Sequence, residues 1–302
     1  MTHGVLDRTR RFAAELPDTP RGFYKMALAV TGRRLNYGLN IFERDWDVLV
    51  VLDACRYDLF QEFAPRHSVY DRFDSVEPIY SCGSATPEWL PKTFNDGFDD
   101  LVSRTHYVSC TGYSTLVDEE RLHQLNGVWS YAVDPEYGCT RPEAVTNAAI
   151  RAYRESDADR FVFHYLPPHA PFLHCPGRYD STGGEEGNTQ NVWRGLQSGR
   201  FDRGAVWEDY GKNLMPGLEE VETILKEVSG KVVVTSDHGN LLGEWGLYGH
   251  PSYVPLPLLK RVPWAEAEGE GRGEYEVKNE AEVRTGLGEQ DLKDHLTALG
   301  YR

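Results

Sequence analysis

Hydrophobic residues in this 302-residue chain fall into short apolar runs separated by stretches with helical spacing. Trp46 to Leu52 (WDVLVVL), Phe161 to Leu166 (FVFHYL) and Lys231 to Thr235 (KVVVT) are β-branched or aromatic and too short for buried helices. Each predicts a strand covered on both faces. Arg104 to Cys110 predicts another strand, and so does Pro255 to Leu259. Leu214, Leu218, Val221, Leu225 and Val228 recur every three or four residues and predict a helix just before the Lys231 strand. Thr140-Arg141-Pro142-Glu143 reads as a capping box that opens a helix to about Arg154. Helical patterns also run from Phe12 to Leu16, from Phe23 to Val30, and through Leu292, Leu296 and Leu299 to a stop at Gly300. Pro176 to Gly204 and Ala265 to Gly288, rich in glycine and acids, read as exposed loops, the first either a cover over a site near His169 or a surface insertion. Strands alternating with helices predict an α/β domain over residues 41–302 with a mixed, mostly parallel sheet. Residues 1–40 form an N-terminal helical extension that packs on the sheet or meets a membrane surface or partner.

Several apolar runs end in residues able to carry chemistry. The Lys231 strand runs into Ser236-Asp237-His238-Gly239, and His250 follows twelve residues after His238, across a loop with four glycines. In open α/β sheets ligands bind beyond the carboxyl ends of strands, so Asp237, His238 and His250 are candidate metal ligands. Asp53 ends the Trp46 strand in the same way, although an acid there is as often a helix cap as a ligand. Phe161 to Leu166 leads into Pro167-Pro168-His169-Ala170-Pro171, whose prolines hold His169 in place as a ligand. His164, still on that strand, is a core histidine, a donor to a leaving group, or a partner of a ligand. Ser81 to Trp89 (SCGSATPEW) is a small-residue turn entering a helix to about Leu90, with Thr86 as N-cap and Pro87 as the first helical residue. Thr86 is either a plain cap or, beside a divalent cation, an ionisable nucleophile. Arg56, next to the Asp53 strand end, is a candidate contact for an anionic substrate or a surface and packing residue.

The order Asp53, Thr86, His169, Asp237-His238, His250 resembles that of the alkaline phosphatase superfamily, and most of all its sulfatase-like branch. The turn SCGSAT is similar to the nucleophile turn of the phosphoethanolamine and glycerol-phosphate transferases, and HAPF at His169 and GEWGLYGH at Gly243 to His250 are similar to their histidine motifs. The resemblance covers roughly Asp47 to Leu259. It implies an alkaline-phosphatase-like sheet with helices on both faces and a metal-dependent hydrolase or transferase of phosphate or sulfate esters. Asp53, Thr86, Asp237 and His238 would hold one cation, and His169 and His250 a second, with Glu244 a further acid to complete it. Nitrogen and carboxylate donors favour zinc, with manganese or calcium as alternatives. Thr86 would attack in line and form a covalent intermediate, with His164 and Arg56 assisting. The alternative is a catalytically silent scaffold with this fold. The chain departs from the family pattern at two places. Cys82 is followed by Gly-Ser-Ala-Thr, not by the C-x-P-x-R signal of formylglycine sulfatases. The transferases also pair the cysteine of this turn with another ten residues on, where this chain has Lys92, which excludes that disulfide.

A net charge of −15 and the lack of basic stripes argue against nucleic acid as a partner. The expected partner is a small-molecule, glycan-linked or lipid-linked phosphate or sulfate ester. No apolar stretch has the length of a membrane span, and the amino-terminal residues lack the apolar core of a signal peptide. Five cysteines without CxxC spacing read as reduced thiols, and with these features the expected location is the cytoplasm.

Overall fold

The computed structural model describes residues 20–35, 37–179 and 190–279, so the helices expected at Phe12 to Leu16 and at Leu292 to Leu299 lie outside the described residues. The strands are β1 (Val48–Leu52), β2 (Ser75–Tyr80), β3 (Thr105–Ser109), β4 (Gln124–Gly127), β5 (Val133–Asp134), β6 (Cys139–Thr140), β7 (Arg160–Tyr165), β8 (Ser229–Thr235), β9 (Leu241–Leu242), β10 (Tyr248–Gly249) and β11 (Arg261–Glu270). Seven form the central sheet in the order β2-β11-β8-β1-β7-β3-β4. The block from β8 to β4 is parallel, and β11 is antiparallel to both its neighbours. This is the mixed, mostly parallel α/β sheet that the sequence pattern predicts.

Side chains alternate across a strand, and the alternation builds two cores. Val48, Val50, Leu52, Phe161, Phe163, Val232 and Val234 face one side, where Val145 and Ala149 of the helix Pro142–Glu155 and Leu218, Val221 and Leu225 of the helix Leu214–Glu227 cover them. Leu49, Val51, Val162, Val233 and Tyr107 face the other, against Trp89 and Leu90 of the helix Thr86–Thr93 and against Trp46 and Trp264. Continuing the alternation by two residues from Val51 and Val162 puts Asp53 and His164 on this second face, beneath the helix that starts with Thr86.

Four local expectations are corrected. Thr140 is not a cap: Arg141 is the N-cap with no side-chain bond, Pro142 opens the helix, and Thr140 lies in β6 with its hydroxyl on the Cys110 carbonyl. Pro at the first position needs no cap because it brings no N–H to satisfy. Pro255 to Leu259 is not a strand: a helical turn, Pro257–Lys260, precedes β11. Ala265 to Glu270, expected in an exposed loop, completes β11, where Trp264, Ala265 and Ala267 are buried and Glu266 pairs with Lys231. Acids and glycine hid a strand whose backbone is paired with β8 through Glu270. Within Pro176 to Gly204, the helix Gln190–Gln197 buries Val192, Trp193 and Leu196 under a polar composition.

Replacing Trp264, fully buried in β11, by Ala should cost about 3–5 kcal/mol, read as a lower urea midpoint with an unchanged slope; an exposed loop would lose little. The helix Leu214–Glu227 carries Glu220, whose carboxyl is pushed up to about 7 by burial, with Glu143 and Glu219 adding to it against a Thr146 hydrogen bond. A folded pKa above the unfolded one means this stability is present below the ordinary glutamate value and is lost as pH rises through about 7. Glu220→Gln should therefore be more stable than the parent at pH 8, by about 2 kcal/mol, and no more stable at pH 4; equal urea midpoints at pH 8 would refute this.

Candidate active site

Strands β1, β7 and β8 and the parallel edge strand β2 all discharge at one end of the sheet, and each carries a site residue there. β1 and β8 pair through Val51 and Thr235, so Asp53 and Asp237 follow two residues beyond the same rung. β1 and β7 pair Val51 with His164, and the Asp53 N–H donates to the Tyr165 carbonyl at 2.9 Å. β2 leads into the turn Ser81 to Ala85 and then into the helix Thr86–Thr93.

That helix differs from expectation in a way that matters. Ala85 is the N-cap, Thr86 is the first helical residue, and the helix runs through Pro91 to Thr93. Pro91 forfeits one main-chain bond, and the burial of Trp89, Leu90 and Thr93 holds the turn in place. The Thr86 hydroxyl is therefore not used in capping. Its Oγ1 lies 2.7 Å from Asp237 Oδ2, 3.1 Å from His238 Nε2 and 3.5 Å from Asp53 Oδ2.

His164 Nε2 stands 3.7 Å from Asp53 Oδ2 and 3.9 Å from Asp237 Oδ2, and His238 Nε2 is 3.5 Å from Asp53 Oδ1. Asp53 Oδ1 and His164 Nε2 are buried without a hydrogen-bond partner, two of five such side-chain atoms among the described residues. Buried polar atoms are normally satisfied, and two orphans facing one point are what a cation-binding donor set looks like without its ion. Asp53, His164 and Asp237 offer atoms all within 4.8 Å of one another. The residues fit a divalent metal.

The histidines are pre-set for ligation. His238 Nδ1 donates to the Gly239 carbonyl at 3.0 Å and His169 Nδ1 to the Ala170 carbonyl at 2.5 Å. A carbonyl only accepts, so Nδ1 carries the proton in both and Nε2 keeps its lone pair. His250 Nδ1 meets Asn240 Oδ1 at 2.7 Å, with the same result. Ring centres lie 4.6 Å apart for His238 and His250 and 5.0 Å apart for His169 and His250. Burial favours neutral His250, and His238 and His169 push its pKa further down against the pull of Asp53. Burial alone would raise the Asp53 carboxyl, but His169, His164 and His238 outweigh it and hold it well below the usual carboxylate range.

The structure thus brings Asp53, Thr86, His164, Asp237 and His238 together, with the His250 and His169 rings tilted against one another beside them. Arg56 is placed differently. Its guanidinium bonds Asp58, Glu244 and the Asn240 carbonyl, lies over the Trp207 ring, and makes no hydrogen bond to Thr86, Asp53 or Asp237. Glu244 is correspondingly taken by Arg56, Arg203 and the Leu242 N–H. Gly239 fits against this pair: a Cβ there would lie 2.6 Å from the Leu258 carbonyl and 2.7 Å from Arg56 Cγ. A second cluster, His174, Cys175 and Asp209, is already compensated, since Asp209 accepts from Arg178, Tyr179 and His174.

Sequence reasoning passed over the residues that orient the histidines. Tyr107 meets His164 Nδ1 at 2.8 Å, Asn240 holds His250, and the buried Asn213 amide points at the carbonyls of Pro168, His169 and Pro171. Only Asn240, next to the Asp-His-Gly run, had a positional signal in the sequence.

No family model and no curated protein matches the chain. Solved structures do. The soluble domain of lipooligosaccharide phosphoethanolamine transferase A from Neisseria meningitidis superposes with a TM-score of 0.51 at 16% identity, over 74% of this chain and 76% of that one. The fold is similar to that of this soluble domain. The integral membrane form of the same transferase gives 0.53 at 15% identity over 84% of this chain and 55% of that one. A protein of the alkaline phosphatase superfamily from Vibrio parahaemolyticus gives 0.41 at 11% identity, over 81% of this chain and 68% of that one. At these identities the likeness to the two transferase structures is one of fold. Among the described residues no helix is long and apolar enough to cross a membrane.

Arg56→Ala should destabilise the protein by about 3 kcal/mol, because it leaves Glu244 without its buried partner. Arg56→Lys should recover little, since one ammonium cannot span Asp58, Glu244 and a carbonyl. Chemical denaturation of both variants checks this, and full recovery by Lys would contradict it.

Proposed function

We propose that the protein is a metal-dependent hydrolase or transferase of phosphate or sulfate esters that uses Thr86 as a nucleophile. The observation that carries the reading is the Thr86 hydroxyl, uncapped at a helix start and enclosed by Asp237, His238 and Asp53. Asp53, Asp237 and His238 would hold a divalent cation with Thr86, zinc by donor type, and His169 and His250 a second; His164 is a further donor on the first. A cation bound there supplies positive charge that eases ionisation of the hydroxyl and offsets charge on the transferred group.

The chain's own residues do the rest. The Thr86 hydroxyl proton would leave through its acceptor, Asp237 Oδ2 at 2.7 Å, to water. Thr86 Oγ1 then bonds phosphorus or sulfur as the bond to the leaving oxygen breaks, and the leaving oxygen takes up a proton from water. Water or an acceptor alcohol displaces Thr86, which regains its proton. The helix Thr86–Thr93 starts at Thr86, so the positive end of its dipole would favour the transferred anion. The structural neighbours are named for phosphoethanolamine transfer involving lipooligosaccharide, which supports a lipid-linked or glycan-linked ester as substrate here.

Turnover of nitrophenyl phosphate, phosphodiester and sulfate esters should depend on added zinc, manganese or calcium, disappear on dialysis against a chelator, and return with metal. Thr86→Ala should lose roughly a thousandfold or more in kcat while retaining its metal. Equal turnover by Thr86→Ala would remove Thr86 from the chemistry, and a metal-loaded wild type inactive on every ester would favour a scaffold.

A further inference from the structure

Behind the turn that presents Thr86 lies a group of buried charges with no part in the proposed chemistry. Glu88 is 2% exposed. Its Oε2 accepts from the Ser84 N–H at 3.0 Å, the Ser84 hydroxyl at 2.6 Å and the Tyr253 N–H at 2.7 Å. Its Oε1 pairs with Lys92 Nζ at 2.5 Å. Lys92 Nζ also donates to the Cys82 carbonyl at 3.1 Å, and Lys260, itself 2% exposed, reaches that carbonyl at 3.3 Å. The Val254 N–H donates to Ser84 Oγ at 3.1 Å.

These bonds have one geometric effect. The turn from Cys82 to Ser84 lies two residues before Thr86, and Tyr253 lies three residues after His250, so one carboxylate holds both flanks of the site although they are 165 positions apart. Gly83 presses the turn onto its own helix, since a Cβ there would lie 2.7 Å from Trp89 Cα. No covalent tie does this work, because Cys82 is a free thiol, its sulfur 3.5 Å from Thr93 Oγ1. A buried carboxylate with a full set of charged and hydrogen-bonded partners is worth most as a device fixing one geometry.

We propose that Glu88, with Lys92 and Lys260, is an electrostatic clamp that positions the Thr86 turn against the loop after His250. Glu88 and the lysines are positioning residues, and their effect on turnover rests on the reading of Thr86 as nucleophile. Their effect on the turn does not.

Two measurements keep the clamp and the nucleophile separable. The first is pulsed alkylation of the thiols, read peptide by peptide in Glu88→Ala, Glu88→Gln and Lys92→Met. Cys82 should label at least about tenfold faster than in the wild type, with Cys55 and Cys110 unchanged, because the turn opens locally while the sheet stays folded. Labelling of Cys82 at the wild-type rate, or of all three thiols together, overturns the clamp. The second is kinetics at saturating metal: kcat should fall by roughly 10–100-fold with KM and metal content little changed, the signature of a misplaced reacting group. Lys92→Arg should restore most of kcat relative to Lys92→Met. A fast Cys82 with unaltered kcat would reduce the clamp to a structural prop. A wild type inactive on every ester would sink the nucleophile reading alone, and the Cys82 rate would still decide whether Glu88 holds the turn.

Discussion

The hydrogen bond from the Ala54 N–H to Asp237 Oδ1, 3.0 Å long and spanning 183 positions, is the constraint around which the site is built. Ala54 takes a left-handed backbone, φ 62°, a conformation that costs a non-glycine residue on the order of 1 kcal/mol. That bend turns the amide of the residue after Asp53 toward the carboxylate ending β8. Cys55 N–H adds a 2.8 Å bond to Ser236 Oγ, which itself donates to the His238 carbonyl. The two strand ends are thus cross-linked by their own polar groups, which draws Asp53 and Asp237 together. Two carboxylates so placed repel each other, and the surrounding imidazoles and the Thr86 hydroxyl offset that repulsion.

The same logic extends outward to the histidines. Each of His169, His238 and His250 gives its Nδ1 proton to a fixed oxygen, from Ala170, Gly239 and Asn240 respectively. Ring orientation and tautomer are therefore fixed by the chain's own oxygens. Asn213 does for the His169 loop what Asn240 does for His250. The hairpin β9–β10 that carries His250 is held in turn by Arg56 on Glu244. In an acidic chain, the arginine next to Asp53 in sequence braces a loop through Glu244 and Asp58.

Apolar runs made the parallel core of this protein legible in its sequence, because a strand buried on both faces must be continuously hydrophobic. The strand ends were legible too, since a sharp change from Val or Leu to Asp, Ser and His marks where a sheet stops and a crevice begins. β11 was not, because Glu266, Glu268 and Glu270 alternate with small residues and the decisive fact is the pairing of that backbone with β8. Likewise Thr86 carries every local sign of an N-cap, and only the course of the turn behind it moves the cap to Ala85 and frees the hydroxyl.

The sequence by itself determined which residue types stand at the strand ends, the order in which they come, and hence the fold class and the kind of chemistry available. Tertiary structure decided which of them meet. Asp53, Thr86, His164 and Asp237 are brought together by strand order and parallel register, which no local pattern encodes. Arg56, adjacent to Asp53 along the chain, is drawn instead into the hairpin because Glu244 and Asp58 offer its charge nearer partners. Proximity in sequence sets what a residue is made to do locally, and long-range pairing sets what it can touch.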